Sequence, residues 1–329
     1  MLWINNIYEY INKFMKKLKA LLLTEGMHGM ISQVEGLAKA LKSEYNHKIV
    51  RLGFPWTFIP PKYTPIAQAI LKDKIYLTKD NGPDLIISCG RKSVIPSILL
   101  KKKNPSIFTI HIQDPKVDAN NFDMIVAPEH DSLEGSNVLS SKGAIHYITK
   151  SEINNARSYL KNKIESEKIV SLILGGPNKY YNFSTGQLIK IFHEVRANFI
   201  NKEHKIIVIP SMRTPKKIID LAIKEFKEDG CVLNLVDKQA YLSALALATN
   251  IVVTCDSTSM ISEAATSGKP IFIAHMKSKK NNYRFKKFFL LFKEMGIIRD
   301  LGSKVENWDY NKFNEAERIA KEINAKIKN

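Results

Sequence analysis

The strongest constraint on this chain is an alternation of short apolar runs with helical stretches, which occurs twice along the sequence. In the first series the apolar runs are Ala20–Thr24, Lys48–Leu52, Leu85–Ser88, Ile107–Ile110 and Met124–Ala127, and the spacing predicts helices over Met30–Lys42 and Ser93–Lys101. In the second series the runs are Val170–Leu174, Lys205–Ile209, Val232–Leu235, Ile251–Thr254 and Pro270–Ala274. Its helices are predicted over Thr185–Phe199, Pro215–Lys227 and Ser259–Ser267. Strands that alternate with helices build βαβ units and hence parallel sheets. The expected fold is therefore α/β, with two Rossmann-like doubly wound domains, and 329 residues suffice for two cores. Four prolines between Phe54 and Pro65 leave too few amide donors for a ladder and mark a loop. The expected organisation is an amphipathic helix over 1–19, a first domain over 20–150 and a linker helix over 151–168. A second domain over 169–304 follows, and then a helix over 305–329 that crosses back to the first domain.

Composition narrows the partners. Fifty Lys+Arg against 32 Asp+Glu give a net charge of +18, which favours an anionic partner. The three cysteines, Cys89, Cys231 and Cys255, form no CxxC pair, which argues against a disulfide framework and a cysteine-rich zinc site. No apolar run reaches the roughly 18 residues of a membrane span, and the first lysines follow the apolar positions instead of preceding them as in a secretory signal. A cytoplasmic protein is expected, with any membrane contact peripheral, on the inner face of the plasma membrane. Two stretches combine cations with aromatics. In the first, Trp3, Ile7, Ile11, Phe14 and Leu18 recur at helical steps beside Lys13, Lys16, Lys17 and Lys19. It either lies in an anionic membrane interface or packs on the protein's own core. The second, 274–304, holds nine Lys/Arg against two acids around Phe285, Phe288, Phe289 and Phe292. Core packing, a membrane surface and nucleic acid are its three readings, and clustered phenylalanines fit the last least well.

The chemistry should sit in the loops after the strands, since open α/β sheets bind ligands at their carboxyl ends. In the first half these loops carry Gly26, His28 and Gly29, then Ser88 to Ser93 with Arg91 and Lys92, then Asp114-Pro115. His28 can exchange a proton near neutral pH. Arg91 and Lys92 are either an anion site or solvated charges. Asp114 is either a general base or a turn former. The second half offers Gly175-Gly176-Pro177-Asn178, whose amides can face a phosphate, and Ser211-Met212-Arg213-Thr214, whose hydroxyls and guanidinium suit a diphosphate. It also holds Asp256-Ser257-Thr258-Ser259 ahead of Glu263. This last run is either a capping box or a site where a helix N-terminus takes an anion and Glu263 takes a ribose diol. No Walker lysine motif, GxGxxG or DxD occurs, and no metal site or cofactor is expected.

Taken together, the Gly175–Tyr181 run, Ser-Met-Arg-Thr-Pro at 211–215 and the Asp256–Ala264 run followed by Gly268-Lys269-Pro270 resemble the mitochondrial-fission (elongated-mitochondria) family, in its alphaproteobacterial form. Matches in the first half are Gly26, His28-Gly29, Gln33, Gly36-Leu37-Ala38, Ile112-Gln113-Asp114-Pro115 and Gly143 to His146. The chain departs from the family at Met212, where a second arginine is expected. The resemblance implies a GT-B-like fold with two domains facing a cleft, and a metal-independent glycosyltransferase using a nucleotide-diphosphate sugar. It implies further that Gly175, Gly176, Ser211, Arg213 and Thr214 hold the diphosphate and that Glu263 takes the ribose, with Ser257 and Ser259 supporting the helix terminus. The first domain takes the acceptor, an envelope or lipid-linked molecule, with His28 or Asp114 as base. The competing implication is a non-catalytic, membrane-associated interaction protein.

Overall fold

The computed structural model describes residues 17–77, 82–302, 305–311 and 313–327. The expected helix over 1–19 lies almost entirely outside them. The described chain forms two compact units. The first runs through Ser141 and takes in Ile145–Tyr147 and the segment from Glu315. The second comprises Lys142–Ala144 and Ile148–Asn314.

The first unit contains six strands, β1 (Lys19–Thr24), β2 (Glu44–Ile49), β3 (Leu85–Cys89), β4 (Phe108–Ile112), β5 (Met124–Pro128) and β6 (Val138–Ser141). All pair in parallel, in the order β2-β1-β3-β4-β5-β6. A parallel sheet is covered on both faces, so its inner strands read as unbroken apolar runs, and β3 is buried at every residue. One face carries α1 (His28–Ala40) and α10 (Glu315–Ile327), whose Val34, Leu37, Ile319 and Ile323 pack on Leu22, Ile87 and Ile110. The other face takes α2 (Val94–Lys103) together with Leu52, Ile70 and Leu71 from the proline-rich loop.

The second unit contains β7 (Ile169–Leu174), β8 (Lys205–Pro210), β9 (Gly230–Val232), β10 (Asn250–Thr254), β11 (Ile271–Ala274) and β12 (Ile298–Asp300), also all parallel. Its order is β12-β11-β10-β7-β8-β9. The chain starts at the centre, winds outward through β8 and β9, then returns to place β10 on the other side of β7. This is the order of a dinucleotide-type doubly wound fold, and its reversal lies between β7 and β10. The helices are α3 (Lys150–Asn155), α4 (Ser158–Lys161), α5 (Thr185–Asn198), α6 (Lys216–Phe226), α7 (Lys238–Leu247), α8 (Thr258–Ala265) and α9 (Tyr283–Glu294).

Several expectations shift. The run at Lys48–Leu52 overlaps only the last two residues of the strand, which begins earlier, at Glu44. β2 is an edge strand with alternating burial, so its sequence, EYNHKI, lacks the apolar signal of a central strand. The run expected at Val232–Leu235 likewise begins earlier, at Gly230, on the opposite sheet's edge. The single linker helix expected over 151–168 is two short ones, α3 and α4. The break lets Arg157 Nη1 donate to the Ala246 carbonyl at 2.7 Å and Leu160 N to Ser243 Oγ at 3.0 Å, which seats both pieces on α7. In α9 the phenylalanines resolve toward the core, since Phe288, Phe289 and Phe292 are buried while Arg284, Lys286 and Lys293 stay exposed. Among the described residues no helix is long and apolar enough to cross a membrane.

Candidate nucleotide site at the carboxyl edge of the second sheet

Three loops meet where the strand order reverses: those after β7, β8 and β10. Their common element is Asp256, whose carboxylate has no solvent exposure. It accepts from the Gly176 amide at 3.0 Å, the Thr254 hydroxyl at 2.7 Å and Arg213 Nη2 at 2.9 Å. Burial raises its pKa in spite of these three donors. A buried carboxylate held by an amide, a hydroxyl and a guanidinium fixes all three loops relative to one another.

The glycines serve this packing. A Cβ on Gly175 would lie 2.1 Å from Asp256 Oδ2, and one on Gly176 would lie 2.1 Å from the Arg213 carbonyl oxygen. Their amides were expected to face a phosphate. They point inward, Gly175 N donating to Thr254 Oγ1 at 2.8 Å and Gly176 N to Asp256. Asn178 is likewise internal, since its Nδ2 donates to the Asp256 carbonyl at 2.9 Å and its Oδ1 accepts from the amides of Tyr180 and Tyr181. Thr214 Oγ1 accepts from the Ser211 amide at 2.8 Å and donates toward the carbonyls of Leu174 and Gly175. Five residues expected to line a ligand, Gly175, Gly176, Asn178, Thr214 and Asp256, therefore form the frame behind it.

What remains outward is smaller in number. Arg213 uses Nη1 on the Gly176 carbonyl at 2.7 Å and Nη2 on Asp256, but its side chain is 40% exposed and keeps further N–H groups. Ser211 Oγ lies 3.1 Å from Thr214 Oγ1 and accepts from the Arg213 amide. Met212, where the family pattern expects a second arginine, is 80% exposed and brings no cation. Ser257 is the N-cap of α8, its Oγ accepting from the Met260 amide at 3.3 Å. The amides of Thr258 and Ser259 open the helix with no partner among the described residues, as helix geometry requires. Glu263 sits one turn on. Burial pushes its pKa up to about 7 against the single opposing hydrogen bond from Tyr241 OH at 3.1 Å. Ser257 caps with Met260, not Glu263, at the third helical position, so no capping box forms, and the Glu263 carboxylate turns to Tyr241 on α7.

Tyr241 was not anticipated, since its role follows only from the packing of α7 beside α8. His275 and Asp300 were also missed. They end β11 and β12 and bond at 2.6 Å, with Lys293 on the second carboxylate oxygen. His275 lies in the loop next to that of β10, and neighbouring strand ends were the signal available.

In the first unit the reversal lies between β1 and β3. Glu25 accepts from the Lys92 amide at 3.0 Å and pairs with its ammonium at 3.2 Å. Arg91 turns back to the carbonyls of Ile59 and Thr57, so both cations expected as an anion site have protein partners. Gly26, at φ +86°, donates to Thr24 Oγ1 at 3.1 Å, and Gly29 is exposed with open space around it. His28, exposed, opens α1 with Nε2 3.4 Å from Tyr147 OH. Burial tends to raise the Asp114 carboxyl, but the ammonium and amide of Lys116 outweigh it and hold the pKa below its ordinary value. Among the described residues no group of three or more His, Cys, Asp or Glu is placed to hold a metal ion.

The comparisons with known proteins converge on this architecture. The family model for mitochondrial fission ELM1 matches residues 28–327. The chain is 26% identical to the mitochondrial fission protein ELM1 of Arabidopsis thaliana, over 75% of this chain and 65% of that one, so it spans less than two thirds of that relative. It is also 26% identical to an uncharacterized protein of Rickettsia prowazekii, over 91% of this chain and 94% of that one. Among solved structures, the UDP-GlcNAc 2-epimerase of Methanocaldococcus jannaschii superposes with a TM-score of 0.51 at 14% identity, covering 93% of this chain and 99% of that one. A UDP-glucosyltransferase from Polygonum tinctorium superposes with a TM-score of 0.50 at 10% identity, covering 93% and 88%. At these identities the likeness establishes the fold, which is GT-B-like.

Proposed function

The chain belongs to the mitochondrial fission ELM1 family, and from that premise we propose that its second unit binds a nucleotide-diphosphate sugar and that the protein transfers the sugar, without a metal, to an envelope or lipid-linked acceptor. One observation carries this reading. At the strand reversal between β7 and β10, Arg213 and the open amides of α8 stand in neighbouring loops joined by Asp256, and Glu263, its pKa raised by burial, lies one turn into that helix. Open helix amides and a partly committed guanidinium suit a diphosphate. Glu263, unprotonated, accepts from a ribose diol, with Tyr241 orienting it.

In the transfer, an acceptor hydroxyl oxygen bonds to the anomeric carbon while the bond from that carbon to the diphosphate oxygen breaks. The diphosphate leaves with the electron pair, stabilised by Arg213 and the α8 dipole. Of the two bases considered, His28 suits the hydroxyl proton better, because Lys116 makes the Asp114 carboxylate a weaker base. The work site on this reading is an anionic membrane surface, reached from the cytoplasm.

A second reading has its own support. Asp256 accepts from Arg213, Thr254 and the Gly176 amide, and Thr254 in turn accepts from the Gly175 amide, so the cluster is satisfied as a structural lock. On that basis the chain is a non-catalytic interaction protein that keeps the fold without the chemistry. Calorimetric titration with UDP, GDP, CMP and ADP separates the two. The enzyme reading expects binding to at least one, weakened about tenfold or more in Arg213→Ala and Glu263→Ala. No binding to any, or binding that both variants leave unchanged, rejects it.

A further inference from the structure

Between positions 54 and 76 of the first unit, Phe54, Phe58, Tyr63, Ile66 and Tyr76 are all exposed, Phe54 by 88% and Phe58 by 77%. No other stretch of comparable length among the described residues shows so many large apolar side chains. Single exposed apolar residues need no explanation, but a cluster of them does.

The loop is not loosely attached. Leu52, Ile70, Leu71 and Ile75 are buried in the core of the first sheet. Its two ends are clipped together, Gly53 N donating to the Ile70 carbonyl at 2.8 Å and Lys72 N to the Arg51 carbonyl at 2.9 Å. The middle is pinned by Thr57 Oγ1 on the Leu52 carbonyl at 2.7 Å, Gln68 Nε2 on the Ile75 carbonyl at 2.6 Å, and the Arg91 guanidinium on Ile59 and Thr57. Pro55, Pro60 and Pro65, each exposed, restrict the backbone further and leave no run of amides on which a partner strand could pair. The rings are thus held outward by a fixed frame.

Charge identifies the occupant. Arg51, Lys62, Lys72 and Lys74 are exposed among the rings, against one acid, Asp73. Lys62 Nζ stands 5.9 Å over the Tyr63 ring. Aromatic rings settle at the headgroup level of a bilayer, and long cationic side chains extend from there to lipid phosphates. We propose that this loop is a membrane-docking surface which inserts Phe54 and Phe58 into the interface of an anionic bilayer. The +18 net charge of the chain supplies the longer-range attraction. The inference rests on the membrane clause of the function proposed above and is independent of sugar transfer.

The test uses the full chain and vesicles about one-third phosphatidylglycerol in phosphatidylcholine. Flotation should show partitioning that weakens about tenfold or more in Phe54→Ser/Phe58→Ser, a change of two surface residues that leaves the core intact. A Phe58→Trp variant should shift its emission to the blue on vesicle addition and be quenched by brominated lipid. Partitioning unchanged in the double variant, together with loss in Lys277→Ala/Lys279→Ala/Lys280→Ala, overturns the loop assignment and leaves the membrane reading standing. No partitioning by the unaltered chain overturns both. Absence of brominated-lipid quenching at position 58 overturns insertion, and the ring cluster then serves a protein partner.

Discussion

The two units solve the same topological problem with different materials. Each sheet reverses its strand order once, and each reversal brings two strand-end loops side by side. In the second unit the loops are locked by a carboxylate with no exposure, packed so close that only glycine fits opposite it. In the first they are joined by Glu25 and Lys92, with the lysine side chain 28% exposed, while Gly29 is exposed and His28, also exposed, touches Tyr147. The difference teaches which end holds its geometry by its own contacts. A buried, fully bonded frame holds its geometry without substrate, whereas an ion pair reached by water holds it only weakly.

Substitutions should break the comparison in order of depth. Gly175→Ala must displace the Asp256 carboxylate, and we expect a loss of about 3 kcal/mol or more in unfolding free energy. Gly29→Ala has open space and a helical position and should change stability by under about 1 kcal/mol. Denaturant melts of the two variants decide this, and equal losses would mean that the frame yields. Next, Asp256→Ala should cost about 2–4 kcal/mol, because it orphans Arg213, Thr254 and the Gly176 amide at once. Lys92→Met should cost at most about 1 kcal/mol.

The effect that depends on pH is the most informative about function. Glu263 has a folded pKa of about 7 against an ordinary 4.5. The folded state therefore holds a proton that the unfolded state has released between those values. Its contribution is fully present below about 4.5 and is lost as the pH rises to about 7. Glu263→Gln should remove that slope and raise stability at pH 8 by up to about 3 kcal/mol. Thermal melts across pH 4–8 read the slope. A stabilised variant that also loses nucleotide affinity would mark Glu263 as a residue retained for binding at the expense of the fold.

How much of this was legible depends on how far the determining contacts reach. The central strands announced themselves because both faces are buried, as at Leu85–Cys89 and Ile169–Leu174. The edge strands β6 and β12 did not, being short and half-covered. The candidate loops were found from glycines, hydroxyls and an arginine beside strand ends. Their direction was not, because the Gly175 and Gly176 amides are claimed by Thr254 and Asp256, 79 and 80 residues away. The phenylalanines of α9 read first as a core face with a membrane face as rival, and the packing of Phe292 against Phe313 and of Phe289 against His275 decides for the core.

Helix α10 has one more consequence. Ile319 and Ile323 complete the core laid down by β1, β3 and β4, although about 170 residues of the second unit intervene. During synthesis the first unit must wait with one face of its sheet covered only by α1 while the second emerges whole. The half that begins first is finished last, and the ribosome delivers its closing piece only after its neighbour has had time to fold.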